Sequence, residues 1–103
     1  MADRTRPVRW SRVATADLVR IAEFLRETNP ATESKMISQL IDKASQLEVN
    51  SRLGQVWHHA PESTAEIRTL LVGRKYRLVY EVAPAQIMVL QVLDMRRNNT
   101  YYR

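Results

Sequence analysis

Apolar side chains recur along this chain with two periods, and the change between them separates a helical half from a strand-forming half. Ala14, Leu18, Ile21, Ala22 and Leu25 fall at i, i+4, i+7, i+8 and i+11, the spacing of one buried helical stripe. They predict a helix from about Arg12 to Glu27, with Ser11 as its N-cap and Asp17, Arg20, Glu23 and Arg26 on a solvated face. Asn29-Pro30 restarts the chain: asparagine is the expected cap, proline pre-sets the first helical φ, and Glu33 lies near the positive end of the helix. The second helix is expected to reach about Glu48, with Met36, Ile37, Leu40, Ile41, Ala44 and Leu47 facing inward. So short a break between two amphipathic helices implies an antiparallel helical hairpin.

Elsewhere the period is two. Pro7 to Ser11 reads as a short strand with Val8 and Trp10 on one face. Residues 49 to 65 show no steady period and read as a long loop. Glu66 to Val72, Lys75 to Val82 and Gln86 to Leu93 read as strands, joined by Gly73-Arg74 and by Ala83-Pro84-Ala85. Tyr76, Leu78, Tyr80 and Val82 share the face that suits a core, while Arg77, Val79 and Glu81 share the other. The order is β-α-α-β-β-β. One helical hairpin covering one face of a sheet makes a two-layer α+β fold. The expected architecture is an N-terminal strand and the hairpin packed on a four-stranded, antiparallel-rich sheet, its last three strands forming a meander. Residues 1–103 form one domain, with 95–103 as a basic, aromatic tail. Arg77 is expected on the open face, near Arg68 of the preceding strand.

Composition narrows the chemistry. With no cysteine among 103 residues, disulfides, thiolate metal sites and cysteine nucleophiles are excluded. No signal peptide or membrane-length apolar run is visible, so a cytoplasmic location and no membrane partner are expected. The net charge of +5 is unevenly spread. Residues 1–12 hold four arginines against Asp3, residues 13–65 hold five basic and seven acidic side chains, and residues 66–103 hold seven basic against three acidic. If the first strand lies beside the last ones, positive charge gathers on one side, which favours a polyanion.

Arg77 stands mid-strand, and Arg96-Arg97-Asn98-Asn99-Thr100-Tyr101-Tyr102-Arg103 closes the chain. Planar cations and aromatic rings together hold phosphates and stack on bases. The plainer alternatives are an Arg77–Glu81 surface pair, a solvated tail, and tyrosines that fold back onto the sheet. His58-His59 lacks a third ligand at a useful spacing, so no metal is expected. Trp10 and Trp57 read as packing residues, and Asp17, Glu23 and Glu27 as a solvated helix face.

Several of these segments together resemble one family. They are Trp10-Ser11, Ala14-x-x-Asp17-Leu18-x-x-Ile21, Asn29-Pro30, Leu53-Gly54, Ile67-Arg68-x-Leu70, Tyr76-Arg77-Leu78-Val79-Tyr80-Glu81-Val82, and Val92-Leu93-Asp94-Met95-Arg96-Arg97. In order and spacing the chain resembles the RelE/ParE superfamily of toxins from bacterial type II toxin–antitoxin pairs. The resemblance implies the fold above, no cofactor, and a cognate antitoxin as partner. It also leaves two activities open. RelE-like members cut messenger RNA in the ribosomal A site; ParE-like members poison DNA gyrase with no chemical step of their own.

Ribosome-dependent mRNA cleavage is the main expectation, with gyrase poisoning as the alternative. In the cleavage reading the resemblance assigns Arg77 to the phosphate and Arg97 to the arginine past the last strand. Tyr101 or Tyr102 falls near the family's C-terminal tyrosine. The expected catalytic set is Arg77, Arg97 and Tyr102, with Arg68, Lys75, Arg96, Tyr101 and Arg103 contacting nucleic acid. The partners would be the ribosome and mRNA, or gyrase in the alternative. The chain departs from the cleaving pattern: arginine replaces lysine at position 68, the tail has no histidine, and no carboxylate matches a general base. Arginine stays protonated and is a poor proton acceptor.

Overall fold

The computed structural model describes residues 5–57 and 65–96. In chain order the elements are β1 (Val8–Trp10), α1 (Arg12–Thr28), α2 (Pro30–Gln46), β2 (Gln55–Val56), β3 (Glu66–Val72), β4 (Tyr76–Val82) and β5 (Ile87–Asp94). Among these residues the sheet has five strands in the order β1-β5-β4-β3-β2. β1 runs parallel to β5, and the remaining pairs are antiparallel. The expected four strands and meander are present. The fifth, β2, is a two-residue pairing inside the segment expected to be loop.

Local chemistry sets the helix ends. The Ser11 hydroxyl accepts the Ala14 N–H at 3.0 Å and donates to the Leu90 carbonyl at 3.0 Å, so the cap also ties α1 to β5. Asn29 departs from expectation: its side chain makes no capping bond, and Pro30 opens α2 with Glu33 in the first turn. Across the break Arg26 donates to Glu33 at 2.9 Å.

The hairpin buries a narrow stripe. Ala14, Ile21 and Leu25 of α1 and Met36, Leu40 and Ala44 of α2 pack on Val72, Tyr76, Leu78, Val89 and Val92. Leu47 joins Tyr80, Val82 and Ile87 in a second cluster. Ile41 is not inward as expected but 44% exposed, because one step along a helix turns it about 100° from the fully buried Leu40.

Paired residues on adjacent antiparallel strands share a face of the sheet. Arg68↔Tyr80, Leu70↔Leu78 and Val72↔Tyr76 lie on the helix side; Thr69↔Val79 and Leu71↔Arg77 lie on the other. On β5 the register shifts opposite Val79/Tyr80, which pair with Gln91 and Val89 and leave Leu90 as the extra residue. A bulge of this kind adds one residue to the alternation, so Ile87, Val89 and Val92 all reach the core. The second face is not uniformly open: Val79, Leu93 and Thr69 are buried on it.

Candidate functional site

Among the described residues, no strand covers the outer side of β5 beyond Trp10, and α1 supplies bonds there. Asp17 is the main contributor. Expected on a solvated face, it is instead buried, with Oδ2 accepting the Val92 N–H at 2.9 Å. Its other oxygen pairs with Arg20. A helix crossing a strand edge places one polar side chain against the backbone, and Asp17 is the residue at that crossing.

At the opposite side of the sheet a polar cluster closes the loop after α2 onto β3 and β4. The Tyr80 hydroxyl donates to the Ser51 carbonyl at 2.9 Å and accepts the Gly54 N–H at 2.9 Å. Burial pushes the Tyr80 phenol above its usual range, against the opposing pull of the Gly54 N–H. Arg68 donates to the Gly54 carbonyl at 2.7 Å and to Glu66 at 2.6 Å, while Arg52 grips both Glu66 oxygens at 3.0 Å. Partial burial alone would raise the Glu66 carboxyl; hydrogen bonds and charge from Arg52 and Arg68 outweigh it and hold the group below the ordinary range. Arg6 donates to the Ser51 hydroxyl at 2.9 Å.

Arg77 lies on the face away from the helices. It donates to the Thr69 hydroxyl at 2.8 Å and makes no bond to Glu81, the alternative weighed from sequence. Leu53, Gly54, Gln55, Thr69, Leu70 and Leu71 surround it in a recess of about 230 Å³. None of these six surrounding residues carries an ionisable side chain.

The expected convergence of Arg68 with Arg77 is therefore overturned. Pairing with Tyr80 puts Arg68 on the helix side, where Glu66 and a backbone carbonyl absorb its donors. Arg96 is also engaged: it bonds both Asp94 oxygens and the Tyr76 hydroxyl and stacks over the Tyr76 ring at 5.4 Å and the Phe24 ring at 6.0 Å. Lys75 is exposed just past the Gly73-Arg74 turn, where both residues have positive φ. Arg97, Tyr101, Tyr102 and Arg103 lie outside the described residues, as do His58 and His59. Asp17, Glu66, Gly54 and the Tyr80 hydroxyl were missed as organising residues. The available signal was parity, since Arg68 alternates with Leu70 and Val72 and so shares their face.

Among the described residues, five strands with a helical hairpin on one face, and an edge recess built around one arginine, define a small α+β fold. The chain matches the family described as ParE toxin of type II toxin-antitoxin system, parDE, over residues 8–99. It belongs to that family. No curated protein matches it. Among solved structures, the chromosomal ParDE toxin–antitoxin system from P. aeruginosa has the same fold, with a TM-score of 0.72 at 21% identity, covering 87% of this chain and 96% of that one. No helix among the described residues is long and apolar enough to cross a membrane.

Proposed function

We propose that this chain, held silent by a cognate antitoxin, stops growth by binding DNA gyrase in the cytoplasm rather than by cutting RNA. The observation that carries this is the surroundings of Arg77. RNA cleavage through a 2′-hydroxyl needs one group to take a proton and cations to steady the phosphoryl oxygens. The described side chains that line the recess with Arg77 are apolar or neutral, and Arg68 faces the other way in an ion pair with Glu66. That environment favours docking over acid–base work. Membership of the ParE toxins and likeness to a ParDE pair support both the antitoxin and the inhibitory reading.

The test uses purified full-length protein with gyrase, relaxed plasmid and ATP, beside mapping of transcript ends after induction in growing cells. Lost supercoiling or trapped double-strand breaks with intact transcripts is expected. Cuts within translated codons, with gyrase unaffected, would reject the proposal and return the chain to RNA cleavage.

A further inference from the structure

The last strand ends in a lock that strand pairing does not require. β5 is already fastened beyond Asp94, where the Met95 N–H donates to the Lys75 carbonyl at 2.8 Å. One residue further, Arg96 is held by three elements. The Asp94 carboxylate of β5 accepts its backbone N–H at 2.9 Å, its Nε at 3.1 Å and its Nη2 at 3.2 Å. The Tyr76 hydroxyl of β4 accepts from Nη2 as well, at 2.9 Å. The guanidinium carbon lies 5.4 Å from the centre of the Tyr76 ring and 6.0 Å from that of Phe24 on α1, within cation–π range.

The receiving groups belong to the rigid body of the fold: Tyr76 is fully buried, and the Asp94 side chain is only 12% exposed. Three of the five guanidinium N–H groups are used inside the molecule, which suits Arg96 poorly to gripping a ligand itself. What the lock fixes is the Arg96 main chain, from which residues 97–103 continue. That segment lies outside the described residues; its sequence holds Arg97, Tyr101, Tyr102 and Arg103 and no acidic side chain. Tyrosine and arginine are among the side chains that most often carry the binding energy of a protein interface. Seven residues reach at most about 25 Å from their attachment, so the place of that attachment decides which part of a partner they meet. A segment with a fixed root also loses less freedom on docking than one whose root swings.

We propose that Arg96 is a positioning residue for gyrase inhibition. With Asp94, Tyr76 and Phe24 it fixes the point from which residues 97–103 reach a carboxylate-bearing surface of gyrase. This deepens the gyrase reading above and rests on it.

The test measures, for full-length toxin variants, the concentration that halves gyrase supercoiling, beside the urea midpoint of each. Two glycines inserted between Arg96 and Arg97 leave every contact of the lock in place and shift the segment by up to about 7 Å. This chain is expected to keep the parent's midpoint and to need at least ~10-fold more toxin, because the added slack must be ordered on docking. Arg96→Ala should need a similar increase under conditions where its urea curve shows it folded. Arg96→Lys keeps the charge but not the planar fork and should recover only part of the loss. Should Arg96→Ala fail to fold, the glycine insertion decides alone. Parent-like inhibition by the insertion, or a loss that only follows a lowered midpoint, overturns the positioning role; Arg96 is then a staple for the strand end, and the gyrase reading stands. Parent-like inhibition by a folded Arg96→Ala chain overturns it equally. Absence of inhibition by the parent overturns both.

Discussion

Arg68 and Arg77 leave the sheet on opposite faces, although their strands are neighbours. Arg68 stands across from Tyr80 on the helix side, and Arg77 stands across from Leu71 on the other. The Arg68 side chain is only 16% exposed and joins the loop after α2 to β3 through Gly54 and Glu66; Arg77 holds one neutral hydroxyl. The two should therefore separate experimentally. Arg68→Ala is expected to lower unfolding free energy by about 1–3 kcal/mol, the usual cost of stranding hydrogen-bonded polar groups in a partly buried site. Arg77→Met, which keeps the aliphatic stem, should stay within about 0.5 kcal/mol of the parent. Urea midpoints for the two variants check this, and equal losses would contradict the division.

The Glu66 ion-pair cluster predicts an acid-side dependence with a definite sign. Its carboxyl is held below the ordinary range in the folded chain, so its stabilising contribution is fully present above the unfolded value of about 4.3 and fades as pH falls through the folded value. Glu66→Gln should be less stable than the parent at neutral pH, with the gap narrowing steadily below about pH 4.3. Denaturant midpoints from pH 7 to pH 2.5 would show the narrowing; a gap independent of pH would mean that the carboxylate charge is not what matters.

Asp17 predicts a difference between two small substitutions. Asp17→Ala leaves the Val92 N–H buried without an acceptor at a strand edge that β1 no longer covers, and is expected to cost about 1–3 kcal/mol. Asp17→Asn keeps a carbonyl oxygen for the same N–H and should lose less than half as much. Thermal unfolding, together with faster exchange of the Val92 amide in the alanine variant alone, checks the assignment.

Much of this architecture is legible in the residues. The stripes Ala14–Leu25 and Met36–Leu47 and the Tyr76–Val82 alternation mark both helices and the central strand within a residue or two, because burial on one face imposes a period. β2 is too short to carry any period; Gln55–Val56 pair because Gly54 and Trp57 bring them alongside β3. The misplaced residues fail for distinct reasons. Arg68 was assigned by its charge, when Leu70 and Val72 two and four positions on already tie it to the core side. Asp17 has a polar side chain at a helix crossing, and only the crossing, with β1 ending at Trp10, shows that it faces the Val92 backbone. Of the candidate site, Arg77 was placed on the correct face by alternation. Its leucine and threonine surroundings depend on the β3–β4 register, which no single strand encodes.

Gly54 gives the most local prediction. A Cβ there would stand 2.4 Å from the Thr69 carbonyl oxygen and 2.9 Å from the Tyr80 hydroxyl. The first neighbour is backbone within β3, so the loop rather than the sheet has to move. Moving it breaks the bonds from the Gly54 N–H to Tyr80 and from Arg68 to the Gly54 carbonyl, and draws Gln55 off Thr69. Gly54→Ala should thus cost more than about 2 kcal/mol, well above the few tenths usual for a loop position. It should also raise amide exchange at Trp57 before it affects the Tyr76–Val82 strand. Wild-type stability with an intact Trp57–Ile67 bond would show that the close approach of these backbones is not needed to form the fifth strand.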